Sequence, residues 1–238
     1  MLSTNTSAAT GTLSTKATLR SVDLRGPAGR LEALLNEGSS DAPYVALVCH
    51  PHPLGGGTMH NKVAYHAMKV LNAAEWGLCW PVLRFNFRGA GLSKGKHDGM
   101  AEVGDVLAAL GWLKREYRRP TVVVGFSFGA AMSVIACCGR SRISATGLNL
   151  RALAALGLPT IGFGHRFHYP FLSACLLPKL FLSGDSDVYA PRGELKKVAE
   201  AAADPKKMVL IPGADHSFSG QLEAMQQALS GWLKEQVL

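Results

Sequence analysis

The chain has 238 residues, 47% hydrophobic and 18% charged, a balance that suits one folded domain with a sizeable core and excludes a disordered or coiled-coil chain. The formal net charge is +8, but the basic residues come in ones and twos (Arg118 and Arg119, Lys196 and Lys197, Lys206 and Lys207) without a nucleic-acid motif. A solvated, mildly basic surface is expected, with neither nucleic acid nor a membrane as partner, because no apolar run approaches the roughly 20 residues that span a bilayer.

Residues 1–18 are rich in Ser and Thr and lack acids, which predicts a flexible leader ahead of one domain over residues 19–238. Leu31–Leu35 reads as an early strand, and Tyr44–Cys49 as a strand buried on both faces, since it is apolar throughout. Lys62–Trp76 has helical spacing, with Val63, Ala67, Val70, Leu71 and Ala74 on one stripe and Gly77 where a helix would stop. Trp80–Phe87 is the next predicted strand, then a helix over Met100–Tyr117, a strand at Val122–Val124 and a helix over Phe128–Cys138. Arg151–Leu158 and Lys179–Ser183 read as strands, Glu194–Ala203 as a helix, Lys207–Ile211 as the last strand and Gln221–Leu238 as a closing amphipathic helix. Alternating strands and helices predict a mostly parallel central sheet with helices on both faces, whose site gathers at the carboxyl ends of the strands. The five cysteines form no C-x-x-C pair and include the adjacent Cys137 and Cys138, so free buried thiols in a reducing cytoplasm are expected.

Gly125-Phe126-Ser127-Phe128-Gly129 fits G-x-S-x-G between a predicted strand and a predicted helix. A nucleophile at the apex of such a turn needs slim neighbours, because the chain on both sides passes close to other backbone. A serine hydroxyl also needs a base to take its proton, and the base needs a carboxylate to hold it. His216 follows the last strand, and Gly184-Asp185-Ser186-Asp187 follows the strand before it, which gives the chain order Ser127, Asp187, His216. Asp187 is the favoured acid and Asp185 the competitor; Asp215 reads as structural or exposed.

These motifs, with HPHPLGGGTMHNK (His50–Lys62), LRFNFRGAGLSKG (Leu83–Gly95), LFLSGDSDVYAP (Leu180–Pro191) and PGADHSF (Pro212–Phe218), resemble the α/β-hydrolase superfamily, closest to the small, nearly capless bacterial hydrolases related to dienelactone hydrolases and short-chain esterases. The resemblance runs from about Leu19 to the C-terminus. It implies a three-layer α/β-hydrolase fold and a Ser-His-Asp triad, Ser127, His216 and Asp187, with Pro191 in the place the family's acid loop has its proline. It also implies an oxyanion hole built from the N–H of Phe128 and one N–H of the loop after Cys49. Where that superfamily has His-Gly this chain has His50-Pro51-His52-Pro53-Leu54, and proline has no N–H, so His52 or Leu54 must donate, with His52 preferred. The implied substrate is a small-molecule carboxylic ester, cleaved without cofactor or metal, and the short segment Pro159–Pro178 between two predicted strands makes a short acyl group the expected one. Thioesterase, lactonase, peptidase and perhydrolase chemistry use the same groups, and a non-catalytic binding protein on the same fold is the reading from another class.

Other patterns have plainer readings. His50 and His52 form an H-x-H pair of the kind some metal sites use, but structural histidines are preferred. Gly55-Gly56-Gly57 lacks the lysine and spacing of a phosphate loop. Arg84 and Arg88 are expected to pair within their own loop. Only a short segment, Pro159–Pro178, crosses between two strands, which leaves no room for a large lid. Its Phe163, Phe167, Tyr169 and Phe171, with Phe126 and Phe128, are expected to line an apolar pocket, and its His165 and His168 either touch substrate or stand as ordinary exposed loop histidines.

Overall fold

A computed structural model describes residues 18–139, 147–162 and 165–238. The expected leader, apart from Thr18, and Phe163 lie outside the described residues. Strand β1 (Leu19–Gly26) pairs antiparallel with β2 (Gly29–Asn36) across the two-residue turn Pro27-Ala28. In chain order follow β3 (Val45–Cys49), α1 (Lys62–Asn72), β4 (Val82–Phe85), α2 (Glu102–Tyr117), β5 (Thr121–Phe126) and α3 (Phe128–Cys138). Then come β6 (Leu150–Leu156), a small hairpin of β7 (Ile161–Gly162) and β8 (His165–Arg166), β9 (Lys179–Gly184), α4 (Arg192–Ala201), β10 (Lys206–Ile211) and α5 (Leu222–Gln236).

The main sheet runs β1-β2-β4-β3-β5-β6-β9-β10; β2 is antiparallel to both its neighbours, β1 and β4, and the run from β4 to β10 is parallel. Apolar residues fill both faces of the central strands, and alternation sorts them into two cores. Val45, Leu47, Cys49 and Val123 pack against α2, α3 and α4. Ala46, Val48, Val122 and Val124 pack against α1 and α5. The three layers implied by the resemblance are therefore present, and all carboxyl ends of the parallel strands lie along one edge. No helix among the described residues is long and apolar enough to cross a membrane.

Three elements differ from the sequence expectation. Strand β1 carries only Val22 and Leu24 as buried apolar residues, alternating with exposed polar ones, so its pattern is too sparse to read as a strand without its partner. Helix α1 stops at Asn72, whose side-chain amide donates to the carbonyls of Glu37 and Trp80, both at 2.9 Å; the chain then turns extended at Ala73, and Gly77 closes a 3-10 turn rather than the helix. The cysteines are not all free: Cys138, at the end of α3, is disulfide-bonded to Cys175, with Cα atoms 5.3 Å apart, while Cys49, Cys79 and Cys137 are free. Helix α3 and the 3-10 turn Pro170–Ala174 pack together through tertiary folding. Two cysteines 37 positions apart carry no local sign of that proximity.

Candidate active site

Strand β5 ends at Phe126 and α3 begins at Phe128, so Ser127 is the sole hinge between them, with φ 56° and ψ −120°. That left-handed backbone is strained for a residue with a side chain. Surrounding contacts impose it: the Ser127 N–H donates to the Leu156 carbonyl (2.9 Å) and its carbonyl accepts from Ala131 (3.1 Å). A Cβ at Gly125 would strike the backbone of Gly129 and Ala130, and one at Gly129 would strike the carbonyl oxygens of Cys49 and His50. The two glycines thus let α3 start directly against β5 and the loop after β3. Serine commonly caps a helix by bonding its first N–H groups, but Ser127 makes no such bond.

The hydroxyl is engaged elsewhere. Ser127 Oγ lies 2.8 Å from His216 Nε2, and His216 Nδ1 lies 2.8 Å from Asp187 Oδ2. Asp187 is buried and three further groups fix it: Ser183 Oγ donates to Oδ2 (2.8 Å), and the N–H groups of Tyr189 (2.8 Å) and Ala190 (3.1 Å) donate to Oδ1. Burial pushes this carboxyl up, but the hydrogen bond and charge of His216, together with Ser183 and the Tyr189 N–H, outweigh it and hold the acid below the ordinary aspartate range. The imidazole of His216 is flanked by Tyr189, with ring centroids 4.7 Å apart, and Phe126 at 5.1 Å. Gly157, with φ +52°, makes room for it, since a Cβ there would stand 3.1 Å from His216 Cε1.

The three residues singled out from the sequence therefore stand in one hydrogen-bonded row. The competing acid Asp185 is turned away; its Oδ1 accepts from the Gly213 N–H (2.7 Å) and Ser186 Oγ (3.1 Å). Asp215 accepts from the N–H groups of Ser217 and Ser219, at 3.0 and 2.9 Å, so it shapes the histidine loop.

A cleft of about 250 Å³ opens over Ser127. Phe128, the first residue of α3, lines it, and its N–H has no carbonyl four residues back to bond. His52 lines it too. Leu54 does not: it is 76% exposed, and its N–H donates to His52 Nδ1 at 3.2 Å. Burial and the neighbouring His97 hold the His52 imidazole below its usual range.

The aromatic lining differs in part from the expectation. Phe126, Phe128 and Phe167 face the cleft. Tyr169 is buried with its hydroxyl donating to the Pro159 carbonyl (2.7 Å), and Phe171 packs against the core. Tyr189, Pro159 and Ile161 stand in the cleft instead. His168 is exposed and lines a separate depression with Arg166, Glu194 and Lys197. Tyr189, Gly157 and Ser183 were missed in the sequence, although each sits at or just beyond the carboxyl end of a predicted strand, where site residues gather.

His50 and Arg88 have structural roles. His50 is fully buried; its Nε2 accepts from the Phe87 N–H (3.0 Å) and its Nδ1 faces the Pro51 carbonyl (2.6 Å), so both ring nitrogens are used and the ring is neutral. Arg88 pairs not within its loop but with buried Asp105 of α2, through Nε (3.0 Å) and Nη2 (2.7 Å). Arg84 donates to the Met59 carbonyl (3.0 Å) and Asn36 Oδ1 (3.1 Å).

Burial pushes the His50 imidazole from 6.5 down to about 4. Because the folded state holds it neutral, the unfolded chain binds the proton first as pH falls. Its contribution is complete above pH 6.5 and is lost as pH falls towards 4, a change of up to about 3 kcal/mol. Urea unfolding at pH 7.5 and 4.5 checks this. The wild type should lose about 2 kcal/mol more than a His50→Gln variant, whose amide can still accept from Phe87; equal losses would remove His50 as the cause.

The family model for an alpha/beta hydrolase domain matches residues 46–234. An uncharacterized protein of Rickettsia prowazekii is 34% identical over 216 residues, covering 87% of this chain and 86% of its own length. A solved serine hydrolase without a lid from Xanthomonas campestris is 28% identical, with a TM-score of 0.74, covering 93% of this chain and 95% of that one. A dienelactone hydrolase from Anabaena variabilis shares the fold at 18% identity, with a TM-score of 0.74 and coverage of 93% and 99%.

Proposed function

Because the chain belongs to the alpha/beta hydrolase family, we propose that it is a serine carboxylesterase acting on small, short-acyl esters through an acyl-enzyme. The observation that carries this reading is the row Ser127 Oγ, His216 Nε2, His216 Nδ1 and Asp187 Oδ2, with both links at 2.8 Å. In the proposed reaction Ser127 attacks the ester carbonyl carbon while His216 Nε2 takes the hydroxyl proton. Asp187 holds Nδ1–H and stabilises the imidazolium that forms. Charge developing on the carbonyl oxygen is met by the N–H of Phe128 and that of His52, each worth about 3 kcal/mol of transition-state stabilisation. His216 then returns the proton to the leaving alkoxide, and a water, activated by the same imidazole, releases the acid and restores Ser127.

Two observations support a short acyl group. The cleft of about 250 Å³ is small beside the roughly 300–1,000 Å³ of sites for drug-sized ligands. Among the described residues only the short hairpin β7–β8 and one 3-10 turn cross between β6 and β9, where a helical lid would have to sit. A fluorophosphonate probe tests the chemistry, because it needs an activated serine. Wild type is expected to be labelled at one site, and to hydrolyse para-nitrophenyl acetate and butyrate faster than long-chain esters. A wild type that stays unlabelled would leave the binding-protein reading standing, and preference for long chains would remove the short-acyl assignment.

A further inference from the structure

The two flanks of the cleft differ in chemistry, and the sheet order fixes which is which. Strand β5 carries Ser127 and lies between β3 and β6. The loop after β3 therefore walls one side of the nucleophile and the segment after β6 the other. The second wall is apolar, with Pro159, Ile161, Gly162 and Phe167 facing the cleft. The first wall contributes Pro51, His52, Gly55 and Asn61.

Asn61 is the N-cap of α1. Its Oδ1 accepts from the N–H groups of Val63 (2.9 Å) and Ala64 (3.3 Å), its own N–H donates to the Thr58 carbonyl (2.8 Å), and its carbonyl accepts from Tyr65 (2.8 Å). Every group of the residue is thus committed except the side-chain Nδ2. A primary amide is planar, so locking the oxygen against the helix also fixes the nitrogen, which points away from the helix end. Among the described residues Nδ2 has no acceptor, and the side chain is half-buried in the wall of the cleft. Helix capping alone is served as well by Ser, Thr or Asp, none of which offers two fixed N–H donors at this reach.

We infer that Asn61 is a specificity-determining residue, whose amide N–H groups bind a hydrogen-bond acceptor oxygen on the arm of the substrate lying along the β3 flank, while the other arm packs on the apolar β6 flank. The substrate class is then an ester with one oxygen-bearing arm, such as an ether, hydroxy or keto group two or three atoms from the scissile bond, and one short apolar arm. This rests on the hydrolase reading above and narrows it.

Matched ester pairs that exchange one CH2 for oxygen isolate the effect. Para-nitrophenyl methoxyacetate against para-nitrophenyl butyrate probes the acyl arm, and 2-methoxyethyl acetate against butyl acetate probes the alcohol arm. Asn61→Asp and Asn61→Ser both keep an acceptor for the helix cap and remove the donors. In both variants, kcat/KM for the oxygen-bearing ester of one pair is expected to fall about fivefold to tenfold, while its all-carbon partner stays within twofold. The inference is overturned if the wild-type oxygen-to-carbon ratio survives in both pairs, or if both members of each pair fall equally. A wild type that hydrolyses none of the four esters would instead sink the hydrolase reading, and this inference with it.

Discussion

Replacing Ser127 by Ala is expected to lower kcat on para-nitrophenyl acetate by about 10⁶-fold, to the residual rate that the cleft and its N–H donors sustain alone. The fold should be unchanged. Among the described residues Ser127 Oγ bonds only to His216, so alanine removes one hydrogen bond and keeps the backbone contacts of the turn. Alanine also meets the same left-handed φ of 56° as serine, so the substitution adds no backbone cost. Stopped assays on a variant purified free of wild type, with circular dichroism beside them, measure both quantities. A variant retaining a hundredth of the activity would place the nucleophile elsewhere.

The second large effect is expected from Asp187→Asn, at about 10⁴-fold in kcat with KM nearly constant. Four groups around the carboxylate set this expectation. Oδ1 faces two backbone N–H groups, Tyr189 and Ala190, which demand an acceptor. An asparagine must therefore turn its oxygen to them and its NH2 towards Ser183 and His216 Nδ1. That NH2 donates to Nδ1, which forces the proton onto Nε2, and a protonated Nε2 cannot accept the hydroxyl proton of Ser127. The geometry survives while the tautomer is wrong. A loss below tenfold would show that Asp187 does not control the state of His216, and Asp185→Asn serves as the neighbouring control, with no loss expected.

The fold and most of this row were legible in the sequence because they rest on local signals. Continuous apolar strands, G-x-S-x-G at a strand end and a histidine after the last strand each need only a few neighbouring residues to be read. What was not legible depends on tertiary contact. Tyr189 reads as one more loop aromatic until its ring meets His216, while Tyr169, equally eligible by type, spends its hydroxyl on Pro159 and leaves the cleft. Arg88 has acceptable partners in its own loop by sequence, yet α2 brings Asp105 to it across the sheet end. The contrast between His52 and Leu54 rests on one bond that the sequence does not show: the His52 ring accepts the Leu54 N–H at 3.2 Å, so that N–H is engaged.

The bond between Cys138 and Cys175 ties the far end of the helix that aims Ser127 to the chain leading off the apolar wall of the cleft. Crossing 37 positions, it restricts the unfolded chain by about 4 kcal/mol. The Ser127 hydroxyl is inert to thiols, whereas the disulfide in the frame that holds it is not. Resistance to heat thus becomes a property shared between the polypeptide and the reducing power of its surroundings.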